Sequence, residues 1–110
     1  MAGRIVHGEV RLYGFSPPDK TRPVLVLTRQ STIEFLATVM VAGITSTIRG
    51  VASEVVLDRE DGMKAPCAVN LHNLSTVAKE RLGRKIAQLS EERMESVCKA
   101  LGFAVGCDRA

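Results

Sequence analysis

The sequence predicts a mainly β protein of the α+β class, in which about seven short antiparallel strands form a small, strongly bent sheet or barrel closed by a C-terminal helix. Short apolar runs recur along the chain before Ser90, separated by turn signals of Gly, Pro and Asp. After Ser90 the apolar spacing becomes helical. The 110 residues, 45% of them apolar, suffice for one core, so residues 1–110 are assigned to a single domain.

The first two strands differ in how much of each is buried. Residues 8–15 alternate between apolar and polar side chains, which predicts one buried face and one solvated face. On the solvated face, Glu9 and Arg11 are expected to pair across strands. Residues 23–28 are apolar almost throughout, which predicts a strand covered on both faces, and Pro23 suits its first position.

The middle of the chain continues the pattern of short elements. Residues 30–36 are compatible with a short helix or a turn. Residues 37–45 form the third predicted strand, in which Gly43 marks a bulge or a close approach of another backbone. Residues 54–58 form the fourth, followed by an Asp-Gly turn and a proline.

Three more strands are predicted before the helix, at residues 67–71, 75–78 and 84–89. In the first of them Cys67, Val69 and Leu71 share the core face. Asn70 and His72 then lie with Ala68 on the opposite, non-core face.

The C-terminal helix is predicted to begin at Glu91, with Ser90 as its N-cap and two glutamates in the first turn. Four residues at helical spacing give it one apolar stripe toward the sheet: Met94, Val97, Cys98 and Leu101. All three cysteines of the chain are expected to behave as small core residues.

Composition excludes several classes of function. A net charge of +3 and a pI near 9.0 are compatible with nucleic-acid binding but common to many domains. Three Phe, one Tyr and no Trp argue against a partner bound mainly by stacking. Two histidines 65 positions apart and no ligand-spaced cluster argue against a metal site, and no cofactor is expected.

Cysteine use and hydropathy indicate the compartment. The three cysteines show no CxxC spacing, and the start of the chain has no secretory pattern, so a reduced, cytoplasmic protein is expected. The longest apolar stretch, residues 37–44, is too short to span a membrane, so no membrane association is expected.

Arg22 stands directly before the apolar strand at residues 23–28. A buried arginine is costly unless it is paired. Arg22 is therefore either a structural residue with a hidden partner or a cation that faces a pocket and binds an anion.

The order of these segments resembles the MazF/PemK/Kid family of toxin endoribonucleases, the mRNA interferases of bacterial type II toxin–antitoxin systems. The resemblance covers roughly residues 5 to 106 and rests on five stretches: GEVRLYGF, KTRPVLVLT, VAGITS, VNLHNLSTV and RLGRKIAQLSEERMESVCKALG. It implies an SH3-like barrel with a C-terminal helix and a homodimer whose interface forms an RNA groove. It also implies a cognate antitoxin that threads into the same groove, with operator DNA bound only through the antitoxin complex.

The family's activity implies a site that needs no metal. Single-stranded RNA is cleaved by the neighbouring 2′-OH, leaving a 2′,3′-cyclic phosphate and a 5′-hydroxyl, so DNA is excluded as a substrate. The resemblance places the catalytic arginine on Arg22 and the catalytic or phosphate-binding threonine on Thr45. Further candidate RNA-binding residues are Ser46, Thr47, Asp19, Lys20, Asn70 and Asn73.

His72 is a departure from the family, which often has an acidic residue at this place, before the Gln or Asn that corresponds to Asn73. A histidine there is a candidate catalytic residue that would change the pH profile or the bases preferred. The alternative is that His72 only ends a strand and is solvated. The loop at residues 16–20 is also shorter than in many members, and its charges Asp19 and Lys20 are either RNA contacts or simply solvated.

Other interpretations stay open at this point. Thr45 and Ser46 are compatible with an ordinary strand-end turn, and the basic run at residues 79–85 with a solvated turn rather than a phosphate track. The related CcdB toxins share this fold yet bind DNA gyrase, because a fold does not fix a function. A catalytically inactive relative that serves as a binding module is the third possibility.

Overall fold

Six strands form one sheet in the computed structural model, which describes residues 4–15 and 20–108. The strands are β1 (Glu9–Gly14), β2 (Thr21–Val26), β3 (Thr38–Thr45), β4 (Glu54–Leu57), β5 (Cys67–Ala78) and β6 (Leu82–Gln88). Their order across the sheet is β4-β5-β3-β2-β1-β6, and all neighbours are antiparallel. Helix α1 (Gln30–Ile33) is short, and helix α2 (Glu91–Ala104) is C-terminal. The predicted fold class is confirmed.

The sheet buries apolar side chains on both of its faces. One core includes Val10, Leu25 and Leu57 and is covered by α2. The other includes Val24 and Val41 and is completed by Ile5, which precedes β1, and by Ile33 of α1. Because β2 contributes to both cores, its residues 24–26 are fully buried, as the uninterrupted apolar run predicted.

Strand β5 corrects the predicted count of strands. The two strands expected at residues 67–71 and 75–78 are one strand of 12 residues. It pairs with β3 along its length, and the register shifts once, between Ala42 and Gly43, where β5 carries extra residues. The sequence hid this continuity because the bulge interrupts the alternation. An irregularity was expected at Gly43, as a bulge in β3 or a close approach of another backbone; the register does shift there, but the extra residues belong to β5.

Strand β1 is buried on both faces, contrary to the predicted solvated face. Glu9 and Arg11 are buried, and they pair along their own strand rather than across strands, with Nη2 of Arg11 3.2 Å from Oε1 of Glu9. Arg11 also donates to the carbonyl oxygens of Gly83 and Arg4. The pair therefore ties β1 to β6 and to the segment before β1.

Helix α2 begins where the sequence predicted, since the Ser90 hydroxyl accepts a hydrogen bond from the backbone N–H of Arg93. Its buried stripe is Met94, Val97 and Ala100, and Cys98 is exposed. Cys107 is exposed too, so only Cys67 is a core cysteine. In the described part of the chain, no helix is long and apolar enough to cross a membrane.

Candidate functional site

Arg22 and Thr45 occupy equivalent positions on neighbouring strands. Strands β2 and β3 are antiparallel and pair Val24 with Gly43. Arg22 lies two residues before Val24, and Thr45 lies two residues after Gly43. Residues separated by two lie on the same face of a strand. The two side chains therefore emerge side by side from the sheet, as the family resemblance implied.

Two cavities meet at this pair. The first, called the polar cavity, has a volume of about 340 Å³, and the second, the apolar cavity, about 560 Å³. Arg22, Pro23, Ile44 and Thr45 line both. A ligand long enough to fill both cavities must cross the Arg22–Thr45 pair.

Arg22 is the second residue of β2 and is exposed, whereas residues 24–26 of the same strand are buried. Within residues 4–15 and 20–108, its guanidinium makes no hydrogen bond or ion pair, in contrast to Arg11. Of the two interpretations of the sequence, the structure favours a cation that faces a pocket. The rigid strand holds this cation where an anion can approach.

Thr45 ends β3, and its hydroxyl accepts a hydrogen bond of 3.1 Å from the backbone N–H of Thr47. This is the strand-end turn that the sequence allowed, and it leaves the hydroxyl proton of Thr45 free to donate. The loop that follows is held by Glu54, whose carboxylate accepts from the backbone N–H groups of Arg49 and Gly50. The turn and the anchored loop thus fix the hydroxyl in place.

Asn70 and Asn73 line the polar cavity together with Phe15. Asn70 pairs with Gly43 in the sheet, and Asn73, one of the extra residues that β5 carries between Asn70 and Leu74, lies over the same glycine. A Cβ atom on Gly43 would lie 3.0 Å from Nδ2 of Asn73. Glycine at this position therefore leaves room for the Asn73 amide.

His72 is exposed and lines neither cavity, although its neighbours Asn70 and Asn73 line the polar one. Its Nδ1 atom lies 2.6 Å from the hydroxyl oxygen of Ser53, which is buried. Ser53 was not predicted as part of the site because no motif marks it. The structure thus gives His72 a partner that orients its ring.

The apolar cavity lies between the middle of β1 and β6, at Leu12, Arg84 and Ile86, and the segment before β5. Besides Arg22, its basic residues are Lys64 and Arg84, and Ser46 also lines it. Cys67 lies in its wall, and burial, followed by the charges of Asp61 and Asp58, raises the pKa of the Cys67 thiol. The thiol stays protonated at neutral pH, which argues against a cysteine nucleophile here.

The remaining sequence candidates fall in different places. Thr47 is exposed and contributes its backbone N–H to the Thr45 turn. Lys20 is exposed and lines neither cavity, and Asp19 lies outside the described residues. Phe15 and Arg84 were not singled out from the sequence. The sequence did place Phe15 at the end of the first predicted strand and Arg84 in the basic run at residues 79–85.

The basic run at residues 79–85 has mostly structural contacts. Lys79 donates to the carbonyl oxygen of Ile33 at 2.6 Å, and the Arg81 guanidinium lies 5.7 Å from the centre of the Tyr13 ring. Only Arg84 of this run reaches a cavity of the site.

Comparison with known proteins agrees with the geometry. A family model described as PemK-like, MazF-like toxin of type II toxin-antitoxin system matches residues 4–105. The endoribonuclease MazF3 of Mycobacterium tuberculosis is 40% identical over 90 residues, which are 82% of this chain and 87% of that protein. The resemblance recognised in the sequence is thereby confirmed.

Solved structures share the fold. The Mycobacterium tuberculosis toxin MazF-mt6 superposes with a TM-score of 0.83 at 36% identity, covering 92% of this chain and 99% of that one. A mycobacterial endoribonuclease in complex with its cognate antitoxin superposes with a TM-score of 0.86, over 97% of this chain and all of that one, and at 21% identity it supports the fold alone. The chain belongs to the PemK-like, MazF-like family of toxins of type II toxin–antitoxin systems.

Proposed function

We propose that this toxin is a metal-independent endoribonuclease that cleaves single-stranded RNA by attack of a 2′-OH on the adjacent phosphorus. The bond from O2′ to phosphorus forms and the bond from phosphorus to O5′ breaks, which leaves a 2′,3′-cyclic phosphate and a 5′-hydroxyl. The proposal is carried by one observation. The Arg22 guanidinium has no hydrogen-bond or ion-pair partner among the described residues, and it lies beside the Thr45 hydroxyl where the two cavities meet.

The chemistry asks little of the protein beyond positioning and charge. The proton of the 2′-OH must be taken up, a proton must reach O5′, and negative charge develops on the phosphoryl oxygens. The guanidinium fork of Arg22 matches two phosphoryl oxygens, and Thr45 supplies one more donor. The nucleophile belongs to the substrate, so a protein nucleophile is not needed.

The two cavities give the RNA strand a path. With the scissile phosphate between Arg22 and Thr45, one flanking nucleotide occupies the polar cavity with Asn70 and Asn73. The other occupies the apolar cavity, where Ser46, Lys64 and Arg84 lie within reach of its phosphate and sugar. Lys20 and Thr47 are assigned to the edges of this path, because both are exposed but line neither cavity.

His72 is proposed as the proton-transfer residue of the site. It neighbours the polar cavity in sequence, and the Ser53 hydroxyl fixes its ring. Asp19 is kept as a candidate contact from the family resemblance alone.

The partners follow from the family. A toxin of a type II system has a cognate antitoxin, and we propose that the antitoxin covers the same path as the RNA, so that bound antitoxin inhibits cleavage. We further propose a single domain, a homodimer, a cytoplasmic location, and contact with operator DNA only through the antitoxin complex.

The proposed function is tested by incubating the purified protein with a long single-stranded RNA and with DNA of the same sequence, both in EDTA. We expect discrete cuts with 5′-hydroxyl ends in the RNA and intact DNA. Intact RNA under conditions in which the protein arrests cell growth would contradict the proposal and point to a toxin that acts by binding, as the gyrase-binding CcdB toxins do.

A further inference from the structure

We infer that the carboxamide of Asn70 selects one unpaired base of the RNA, in the nucleotide that occupies the polar cavity. The inference rests on the proposed function, because it requires that RNA enters this cavity. It goes further in assigning base selection at one substrate position to one side chain.

The evidence begins with an unsatisfied acceptor. Oδ1 of Asn70 is buried and has no hydrogen-bond partner among the described residues, and it is the one buried side-chain polar atom in that part of the chain in this condition. Leaving a buried acceptor unpaired costs about 1–3 kcal/mol, so native proteins rarely do it without a reason. Since Asn70 lines the polar cavity, a ligand there can supply the missing donor.

Because Oδ1 of Asn70 is an acceptor, its missing partner must be a donor, and a phosphate oxygen cannot be that partner. Phosphate oxygens are negatively charged acceptors, and they repel a carbonyl oxygen rather than bond to it. Arg22 and Thr45 are the donors that suit the phosphate, and Thr45 lies two residues beyond Gly43, the residue of β3 that pairs with Asn70. The Asn70 carboxamide offers an acceptor beside a donor, which matches the acceptor–donor pairs on base edges.

The rest of the cavity suits a planar base. Phe15 lines it, and the Tyr13 ring packs edge-on against Phe15 with 4.8 Å between ring centres, which holds the phenyl group in place. Gly43 keeps the floor open beneath the Asn73 amide. An aromatic ring and side-chain amides are the groups with which proteins bind splayed-out bases of single-stranded RNA.

A base bound by Asn70 through its Watson–Crick edge cannot be paired with another strand. The same contact therefore explains a preference for single-stranded substrate as well as a preference for one base. A well-made bidentate contact of this kind discriminates against a wrong base by about tenfold or more.

The test is cleavage of an RNA pool randomised in sequence, with the 5′ ends of the products sequenced for the wild type, Asn70→Ala and Asn70→Asp. For Asn70→Ala we expect the preference at one position beside the cut to fall by about tenfold or more, with the other positions unchanged. Asn70→Asp replaces the amide donor by a second acceptor, so preference at that position should move to guanine, whose Watson–Crick edge presents two adjacent donors. Arg84→Ala, in the other cavity, is the matched control: it should slow cleavage of all sequences and keep this preference.

Two results would overturn the inference. One is an Asn70→Ala variant that keeps the wild-type preference at every position. The other is a uniform loss of rate for all four bases with the preference intact, which would assign the Oδ1 atom to a ribose hydroxyl instead.

A second measurement decides the matter if Asn70→Ala cuts too slowly to be mapped. Binding is then compared for four RNAs that differ only in the base at that position and carry a 2′-deoxyribose at the cleavage site to prevent cutting. The wild type should discriminate among them and Asn70→Ala should not, and equal discrimination by both would contradict the inference. A wild type that cuts no RNA overturns the proposed function itself and is recognised before any variant is compared.

Discussion

The hydroxyl oxygen of Ser53 lies 2.6 Å from Nδ1 of His72. Ser53 is buried, and its hydroxyl has no other hydrogen-bond partner within the described ranges. When Nδ1 carries no proton the hydroxyl donates to it, and when Nδ1 carries the proton it donates to the hydroxyl oxygen. In either tautomer the contact orients the imidazole ring of His72.

This relationship predicts how substitutions at His72 alter the pH dependence of cleavage. His72→Asp replaces an imidazole by a carboxylate, so the pH profile of kcat should change in shape. Ser53→Ala keeps the imidazole and loosens its orientation, so it should lower kcat while keeping the wild-type shape. Single-turnover rates between pH 5 and 9 check both. Identical profiles for the wild type and His72→Asp would make His72 a bystander.

Arg22→Ala is predicted to lower the cleavage rate by about 100-fold or more, by analogy with the loss of an oxyanion-hole donor. Arg22→Lys keeps the charge and loses the fork, so its rate should lie between those of Arg22→Ala and the wild type. Because Arg22 is exposed and unpaired among the described residues, neither change should lower Tm measurably. A cleavage rate of Arg22→Ala within a few-fold of the wild type would contradict this assignment.

The buried pair of Glu9 and Arg11 predicts a large effect on stability. Their side chains are only 4% and 8% exposed. Arg11→Met leaves the Glu9 carboxylate buried without its main partner, so the free energy of unfolding should fall by about 3–5 kcal/mol. The double variant with Glu9→Gln should recover part of that loss. Urea unfolding measures both, and a loss below about 1 kcal/mol for Arg11→Met would contradict the structural role.

Asp61 predicts a pH-dependent contribution to stability. Burial opposes ionisation of Asp61, but hydrogen bonds from Arg93 and from the Asp58 backbone outweigh it and lower the pKa of the carboxyl group. A lowered pKa in the folded state stabilises the fold above the unfolded value of about 3.9, and this stabilisation disappears as the pH falls through the folded value. Asp61→Asn should therefore destabilise the protein at pH 7 and have little effect near pH 2. An equal loss of stability at both pH values would contradict the linkage.

The sequence predicted most elements correctly because their patterns are local. The apolar run after Arg22 and the Ser90 cap each act through neighbouring residues. The continuity of β5 was missed because its extra residues break the alternation, and only pairing with β3 joins the two halves. Burial of Glu9 and Arg11 was missed because alternation cannot tell that β6 and the segment around Arg4 cover the polar face.

The candidate site was predictable only in part. Arg22 and Thr45 were found through the family's motifs, and alternation placed Asn70 on the face opposite Cys67, Val69 and Leu71. The same alternation was wrong in expecting a non-core position for Ala68, which is fully buried. The Ser53 contact, the exposure of Cys98 and the meeting of two cavities depend on residues far apart in the chain. No local spacing encodes them.

The central claim is that the substrate's own 2′-OH attacks a phosphate held by Arg22. It is tested most directly with a short RNA that contains one mapped cleavage site and its twin with a single 2′-deoxyribose immediately 5′ of the scissile phosphate, each incubated in EDTA with wild-type protein and with Arg22→Ala. The account predicts that the wild type cuts only the all-ribose RNA, leaving a 2′,3′-cyclic phosphate, and that Arg22→Ala cuts neither at a comparable rate. Cleavage of the deoxy-substituted twin at the same bond would contradict it, because a different nucleophile would then be at work.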